Sequence, residues 1–233
     1  MPTMNITSDN LAGVYDMLVV FTGNQSNGNL TTNSNIITNI VTTNININDV
    51  IIGDNIPNPC FVTAKTSNTI TISQSITVTK SNNLLYTHKN NIFEGFQNNS
   101  FIPQDNDFIV ITKLDSNTTG RPIELYDKDT ESYSVVACDI NIIQLDFYGD
   151  LAEKNAKIMR TVVNSRLANQ FLESYNASTG RYYSIVNLSD ILDNENYIKR
   201  FSFKFELFSN SAILDTPLAT QLFDNEITYA PSV

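Results

Sequence analysis

The sequence predicts an α+β fold: a mostly antiparallel sheet packed against one long helix, with a short N-terminal helix and a small all-β insertion domain. Three observations predict it. A long amphipathic stretch follows Gly149, Tyr197 to Phe208 alternates cleanly between apolar and polar residues, and from about Gly23 to Tyr86 charge nearly vanishes while Asn, Thr, Ile and Val dominate. The chain is therefore divided into residues 1–28, the N-terminal helix of the larger domain; 29–86, an inserted β module; and 87–233, the α+β domain proper.

The first element spans Thr7 to Thr22. Ser8 or Asp9 can cap it, and Leu11, Val14, Tyr15, Leu18 and Val19 recur at spacings of three and four, so they share one face of a helix. In the low-charge stretch, Asn35 to Val41, Cys60 to Ala64 and Thr69 to Ser73 are β-branched and alternating. Gly53-Asp54-Asn55, Pro57-Asn58-Pro59 and Thr66-Ser67-Asn68 separate them as turns. Phe108 to Thr112 reads as a central strand. Glu131 to Gly149 reads as a longer strand, with Val136, Cys138, Ile140 and Ile142 on one face and Ile143, Leu145 and Phe147 on the other; Gly149 supplies the turn. Asp150 to Glu153 has the pattern of a capping box, and Leu151, Ile158, Met159, Val162, Val163, Leu167 and Phe171 carry a single helix to about Tyr175. In Tyr197 to Phe208, Phe201, Phe203, Phe205 and Leu207 face one way and Arg200, Ser202, Lys204 and Glu206 the other: a half-buried antiparallel strand.

Composition excludes several function classes. The chain of 233 residues has 14 Lys plus Arg against 24 Asp plus Glu, a net charge of -10, which opposes phosphate gripping as a main activity. Charged residues are only 16% of the chain, and no apolar run is long enough to span a membrane. The start of the chain lacks a basic region and its apolar stretch carries Asp16, so no signal peptide is expected. Cys60 and Cys138 are expected as reduced packing thiols of a protein folded in the cytoplasm.

No catalytic centre emerges. The single histidine, His88, has no Cys or carboxylate at ligand spacing, and neither a nucleophile elbow nor a phosphate-binding glycine loop is present. Asp105-Asn106-Asp107 and Asp127-Lys128-Asp129 are the one pattern with metal chemistry in it. Asp107, Asp127 and Lys128 can be arranged on paper as a metal-dependent nuclease site, although Asp-Asn-Asp before a strand is also ordinary turn chemistry. No cofactor and no metal is expected.

The segment Ile92 to Asn99, with Gly95-Phe96-Gln97-Asn98, followed by Ile102-Pro103 and Phe108 to Thr112, resembles the neck or tail terminator proteins of contractile-tailed phages. The resemblance continues through Tyr126 to Asp129, through Gln144-Leu145-Asp146-Phe147-Tyr148-Gly149 and the helix after it, and closes with the aromatic strand from Tyr197. The stretch from about Asn29 to Tyr86 departs from that family and looks instead like a small β module of phage structural and fibre proteins. The resemblance implies a tail-tube-like fold and a non-enzymatic virion protein of the neck, assembled in the host cytoplasm. Copies of the chain would form a ring, expected to be hexameric, that ends the tail tube and joins the tail to the head connector. Its partners would be itself, tail-tube and sheath proteins, and neck or connector proteins, with DNA only passing through the lumen. From Tyr86 onward 20 acidic residues face 12 basic ones, and Asp105, Asp107, Asp115, Asp127, Asp129 and Glu131 are candidates for a phosphate-repelling channel wall. A second reading makes the chain a virion decoration or binding module acting through the β insert.

Overall fold

The computed structural model describes residues 9–95, 107–127, 132–192 and 196–214. Ser8, Phe96, Gln97, Asn98, Ile102, Pro103, Asp105, Lys128, Asp129 and Glu131 lie outside the described residues.

Helix α1 (Asp9–Thr22) buries all five of its expected core residues, Leu11, Val14, Tyr15, Leu18 and Val19. Gly13 is there for clearance: a Cβ at that position would sit 2.9 Å from Cγ of Tyr175 and 3.0 Å from a Leu172 methyl. A residue of poor helix propensity is retained because it lets two elements touch.

The low-charge stretch folds as a six-stranded sheet of β1 (Asn24–Leu30), β2 (Ile36–Thr38), β3 (Val50–Gly53), β4 (Val62–Lys65), β5 (Thr69–Ile72) and β6 (Lys80–His88), in the order β3-β6-β1-β2-β5-β4. Its own core contains Leu30, Ile37, Ile51, Cys60, Val62, Ile70 and Leu85. Strands β1 and β6 form an antiparallel stem from Asn24↔Thr87 to Leu30↔Lys80. Asn33, Asn39, Asn48, Asn55 and Asn82 all have positive φ, so the abundance of asparagine has a backbone cause: Asn tolerates the left-handed turn positions that short strands require. Val50 joins the main core together with α1, and Ile52 and Phe61 pack against it, so the module is seated on the rest of the molecule.

The second sheet comprises β7 (Ile92–Glu94), β8 (Phe108–Asp127), β9 (Ser132–Tyr148), β10 (Ala177–Tyr182), β11 (Val186–Asn187) and β14 (Arg200–Leu214). Its order is β10-β14-β9-β8-β7, with β11 also on β14; only the β7–β8 pairing is parallel. A ribbon of β12 (Asp190–Leu192) and β13 (Asn196–Ile198) lies between β11 and β14 in the chain. Ile143, Leu145, Phe147, Phe203, Phe205 and Leu207 form the buried face, as the alternation predicts, and the rings of Phe147 and Phe203 stack at 6.2 Å.

The expected sheet on one long helix is not what forms. The molecule is mostly β, with two principal sheets and three helices among the described residues. The stretch expected to be one helix is α2 (Ala152–Val163), a break at Asn164-Ser165, α3 (Arg166–Leu172) and a 3-10 turn at Glu173–Tyr175. The break has a local cause. Ser165 takes an extended conformation and its Oγ accepts from the N–H of Leu167, starting a new helix, while its hydroxyl donates to the Val162 carbonyl. The capping box also fails. The N-cap of α2 is Leu151, with no side-chain cap, because Asp150 is used elsewhere: its carboxylate pairs with Lys199 at 3.0 Å and its N–H donates to Asp107 at 2.8 Å.

Candidate functional site

Two features distinguish this molecule from a plain sheet-and-helix domain. The first is a cluster built by the sequence Gln144 to Gly149. Successive residues of β9 point to opposite faces, so Leu145 and Phe147 enter the core while Gln144, Asp146 and Tyr148 stand on the face away from the helices. Asp146, 3% exposed, accepts from Gln144 Nε2 at 2.7 Å and from Nε and Nη2 of Arg200 at 3.2 and 3.1 Å. The Arg200 guanidinium lies 5.4 Å from the centre of the Tyr148 ring, which stacks on Phe108 at 4.2 Å and 11°. Burial and the Asp146 carboxylate raise the Tyr148 hydroxyl, and Arg200 opposes them. Gly149, at φ 93, turns the chain out of the strand as expected. Gly95 is likewise demanded by space, since a Cβ there would fall 2.3 Å from Thr112 Oγ1. These are positioning interactions: they lock β14 to β9 and β9 to β8.

The second feature is an arm. Strand β8 has 20 residues, but its contribution to the core is confined to Ile109 and Ile111. Leu114 to Ile123 is exposed throughout. This part stays extended because β9 and then β14 pair beside it, to Asp127↔Ser132 and Leu214↔Ser134. A bulge between Thr119 and Ile123 accommodates Gly120, at φ 76, and Pro122, which has no N–H to give a ladder. Leu114 is 40% and Ile123 63% exposed.

Of the acidic residues expected at a channel wall, Asp107, Asp115 and Asp127 are among the described residues. Asp107 is spent on the N–H of Asp150. Asp115, on the arm, accepts from its neighbours Ser116 N–H and Asn117 Nδ2 at 2.8 and 2.9 Å. Asp127 ends β8, and Asp105, Asp129 and Glu131 lie outside the described residues. The two acids of the nuclease arrangement are not brought together. Asp107 and Asp127 stand at opposite ends of a 20-residue strand, on the order of 60 Å apart at about 3.3 Å per residue.

His88 is buried against β3, with Nδ1 donating to the Lys89 carbonyl at 2.7 Å; desolvation lowers its pKa. Cys60 and Cys138 are free thiols, the first fully buried. Sequence reasoning missed Asp16. This carboxyl on α1 is 1% exposed and accepts from Asn58 Nδ2 at 2.7 Å and from the Tyr175 hydroxyl, so it ties the β module, α1 and the end of the helical layer together. Burial raises its pKa against both hydrogen bonds. A polar residue in an otherwise apolar helical stripe was the available signal. Among the described residues no group of acids, cysteines or histidine is placed to hold a metal, and no helix is long and apolar enough to cross a membrane.

No curated protein matches the chain. A family model does: residues 72–230, well over half the sequence, match the phage neck terminator proteins. That span contains β6, the Gln144 to Gly149 cluster, the arm and both later helices. The family is a structural one of the phage virion, and the chain belongs to it.

Proposed function

We propose that copies of this chain close into a ring, six in number, that ends the tail tube and joins the tail to the head connector while DNA passes through. Membership of the neck terminator family supports the placement. The single structural observation that carries the ring is the arm. Three paired strands run past their own core and β8 exposes Leu114 and Ile123, which is costly for a free monomer and natural for a segment that lies on a neighbour. A head-to-tail contact of this type closes into a ring when the rotation allows. In that ring, some of the acidic residues Asp105, Asp107, Asp115, Asp127, Asp129 and Glu131 supply a lumenal field that keeps phosphates from adhering.

Light scattering during size-exclusion chromatography, alone and with tail tubes, tests the reading. Rings near six protomers, or rings formed on tube ends, support it; a monomer that never engages tubes refutes it. The acidic wall has a separate test. Replacing Asp105 and Asp107, the members of the set that precede the arm, by Lys should slow DNA ejection while ring assembly stays intact, and an unchanged rate removes the wall.

The β module is best read as an accessory carried by the ring, with 1–28 and 87–233 as the terminator domain. The separate core of the module supports this. Because Leu30 faces Lys80 across the stem, replacing Thr31 to Thr79 by an Asn-Gly turn keeps the β1–β6 pairing while removing β2 and β3 from their flanks. If that variant still caps tubes, the module is accessory; if it folds and does not cap, the module is part of the joint.

A further inference from the structure

In a chain of net charge -10, the outer surface of the helical layer has the opposite sign. Between Ala152 and Tyr175 there are four basic residues, Lys154, Lys157, Arg160 and Arg166, against two acids, Glu153 and Glu173, and all six are exposed. Lys157 is occupied by Glu153 at 2.5 Å. Lys154 and Arg160 have no ion pair among the described residues. Leu151 and Leu167 add apolar surface at 53% and 55% exposure. Beside α2 a groove opens toward β11, lined by Glu153, Lys157, Arg160, Ile185, Asn187 and Phe201.

The strands of the arm are the complement. From Leu114 to Asp127 and from Ser132 to Asn141 there are four acids, Asp115, Glu124, Asp127 and Asp139, and one base, Arg121. The arm also carries the exposed apolar residues Leu114 and Ile123. Its strand β8 continues for 14 residues from Leu114, about 45 Å at the rise of an extended chain, enough to cross a neighbouring helical layer completely. Charge and apolar surface thus match between two regions of the same chain.

We propose that the basic outer surface of α2 and α3 is the seat for the acidic arm of a second copy. The inference rests on the ring reading and names its joint. Opposite charges steer the arm and fix its register, while Leu114 and Ile123 supply the apolar contact.

The test is a charge swap in the full chain, read by sedimentation velocity in low salt and in about 0.5 M salt, where charges are screened beyond roughly 4 Å. Lys154→Glu with Arg160→Glu should weaken self-association at least about tenfold and remove its salt dependence, with the circular dichroism spectrum unchanged. Adding Asp115→Lys and Asp139→Lys to that variant should restore association, whereas the same arm changes in the wild-type background should weaken it. Assembly that ignores the helical reversal overturns the seat and leaves the ring standing. Loss of assembly that the arm reversal does not rescue overturns the arm as its occupant. A wild-type chain that stays monomeric alone and on tube ends overturns both.

Discussion

Replacing Asp16 by Ala and by Asn separates two things the buried carboxyl does. In the folded protein, one of its oxygens accepts from Asn58 and Tyr175 while the other, also buried, has no partner. Alanine removes the acceptor from both donors. Each stranded donor costs about 1–3 kcal/mol when fully buried; Asn58 is exposed and Tyr175 half-buried, so the sum is about 2–3 kcal/mol. For a chain of this length that lowers Tm by about 5–10 °C. Asparagine keeps a carbonyl oxygen for both donors and removes the charge, so it should cost under about 1 kcal/mol at low pH. The pH dependence has a definite sign. Burial raises the pKa of Asp16 in the fold, so as pH rises the unfolded chain loses this proton first. Wild-type stability from this group is therefore full below the ordinary carboxyl range and declines as pH climbs through the raised folded value. The difference between Asp16→Asn and wild type should grow in favour of Asn over that window and then level off. The chain has 10 Tyr and no Trp, so tyrosine fluorescence during thermal and urea unfolding reports it directly. Asn as damaging as Ala, or a wild type that gains on Asn with rising pH, would refute the reasoning.

Other expectations follow from the packing. Phe203→Ala should cost about 3–5 kcal/mol, since the side chain is 1% exposed and stacked on Phe147; urea unfolding measures it. Asp146→Ala should cost about 2–3 kcal/mol by stranding Arg200 and Gln144, whereas Asp150→Ala, which breaks an exposed pair with Lys199, should change stability by under about 1 kcal/mol. Gly13→Ala should destabilise despite its better helix propensity, by about 1–2 kcal/mol, because the methyl meets Tyr175 and Leu172. A stabilised Gly13→Ala variant in the same unfolding assay would show that this contact yields.

The elements that were legible are those the core selects. Helix α1 is enclosed on nearly every side, so its spacing picked out five core residues and passed over Met17 and Asp16. In the core half of β9 and in β14, the apolar period reports burial because each element has one face in and one out. The break in the helical layer was hidden for the same reason: Val162, Val163, Leu167 and Phe171 keep a helical spacing across it, and only the capping hydroxyl of Ser165 marks the restart. Strand β1, Asn24–Leu30, is mostly Asn, Gln, Ser and Gly, which reads as loop. It is a strand because β6 and β2 flank it. The arm was the largest omission. Asp115 to Pro122 is turn chemistry by composition, and its extended form comes from β9 pairing alongside, a long-range cause that no local window contains. The Gln144 to Gly149 cluster was legible as a motif, but its role as a clasp among three strands needed Arg200 and Phe108, which are distant in sequence.

The position of the β module follows from the same economy. Its two ends leave the main body as β1 and β6, which pair directly from Asn24↔Thr87, so the chain departs and returns at one place and the sheet of β7 to β14 need not open. Such a stem lets a loop grow into a folded unit at little entropic cost to its host. The price appears on α1: once the module is present, Val50, Ile52 and Phe61 complete the main core, and Asp16 finds a partner in Asn58. The helix has thereby become dependent on the insert that it supports. Removing Thr31 to Thr79 would expose the α1 surface under β3 and leave Asp16 with Tyr175 alone, so the trimmed chain should fold with lower stability even where it still forms rings.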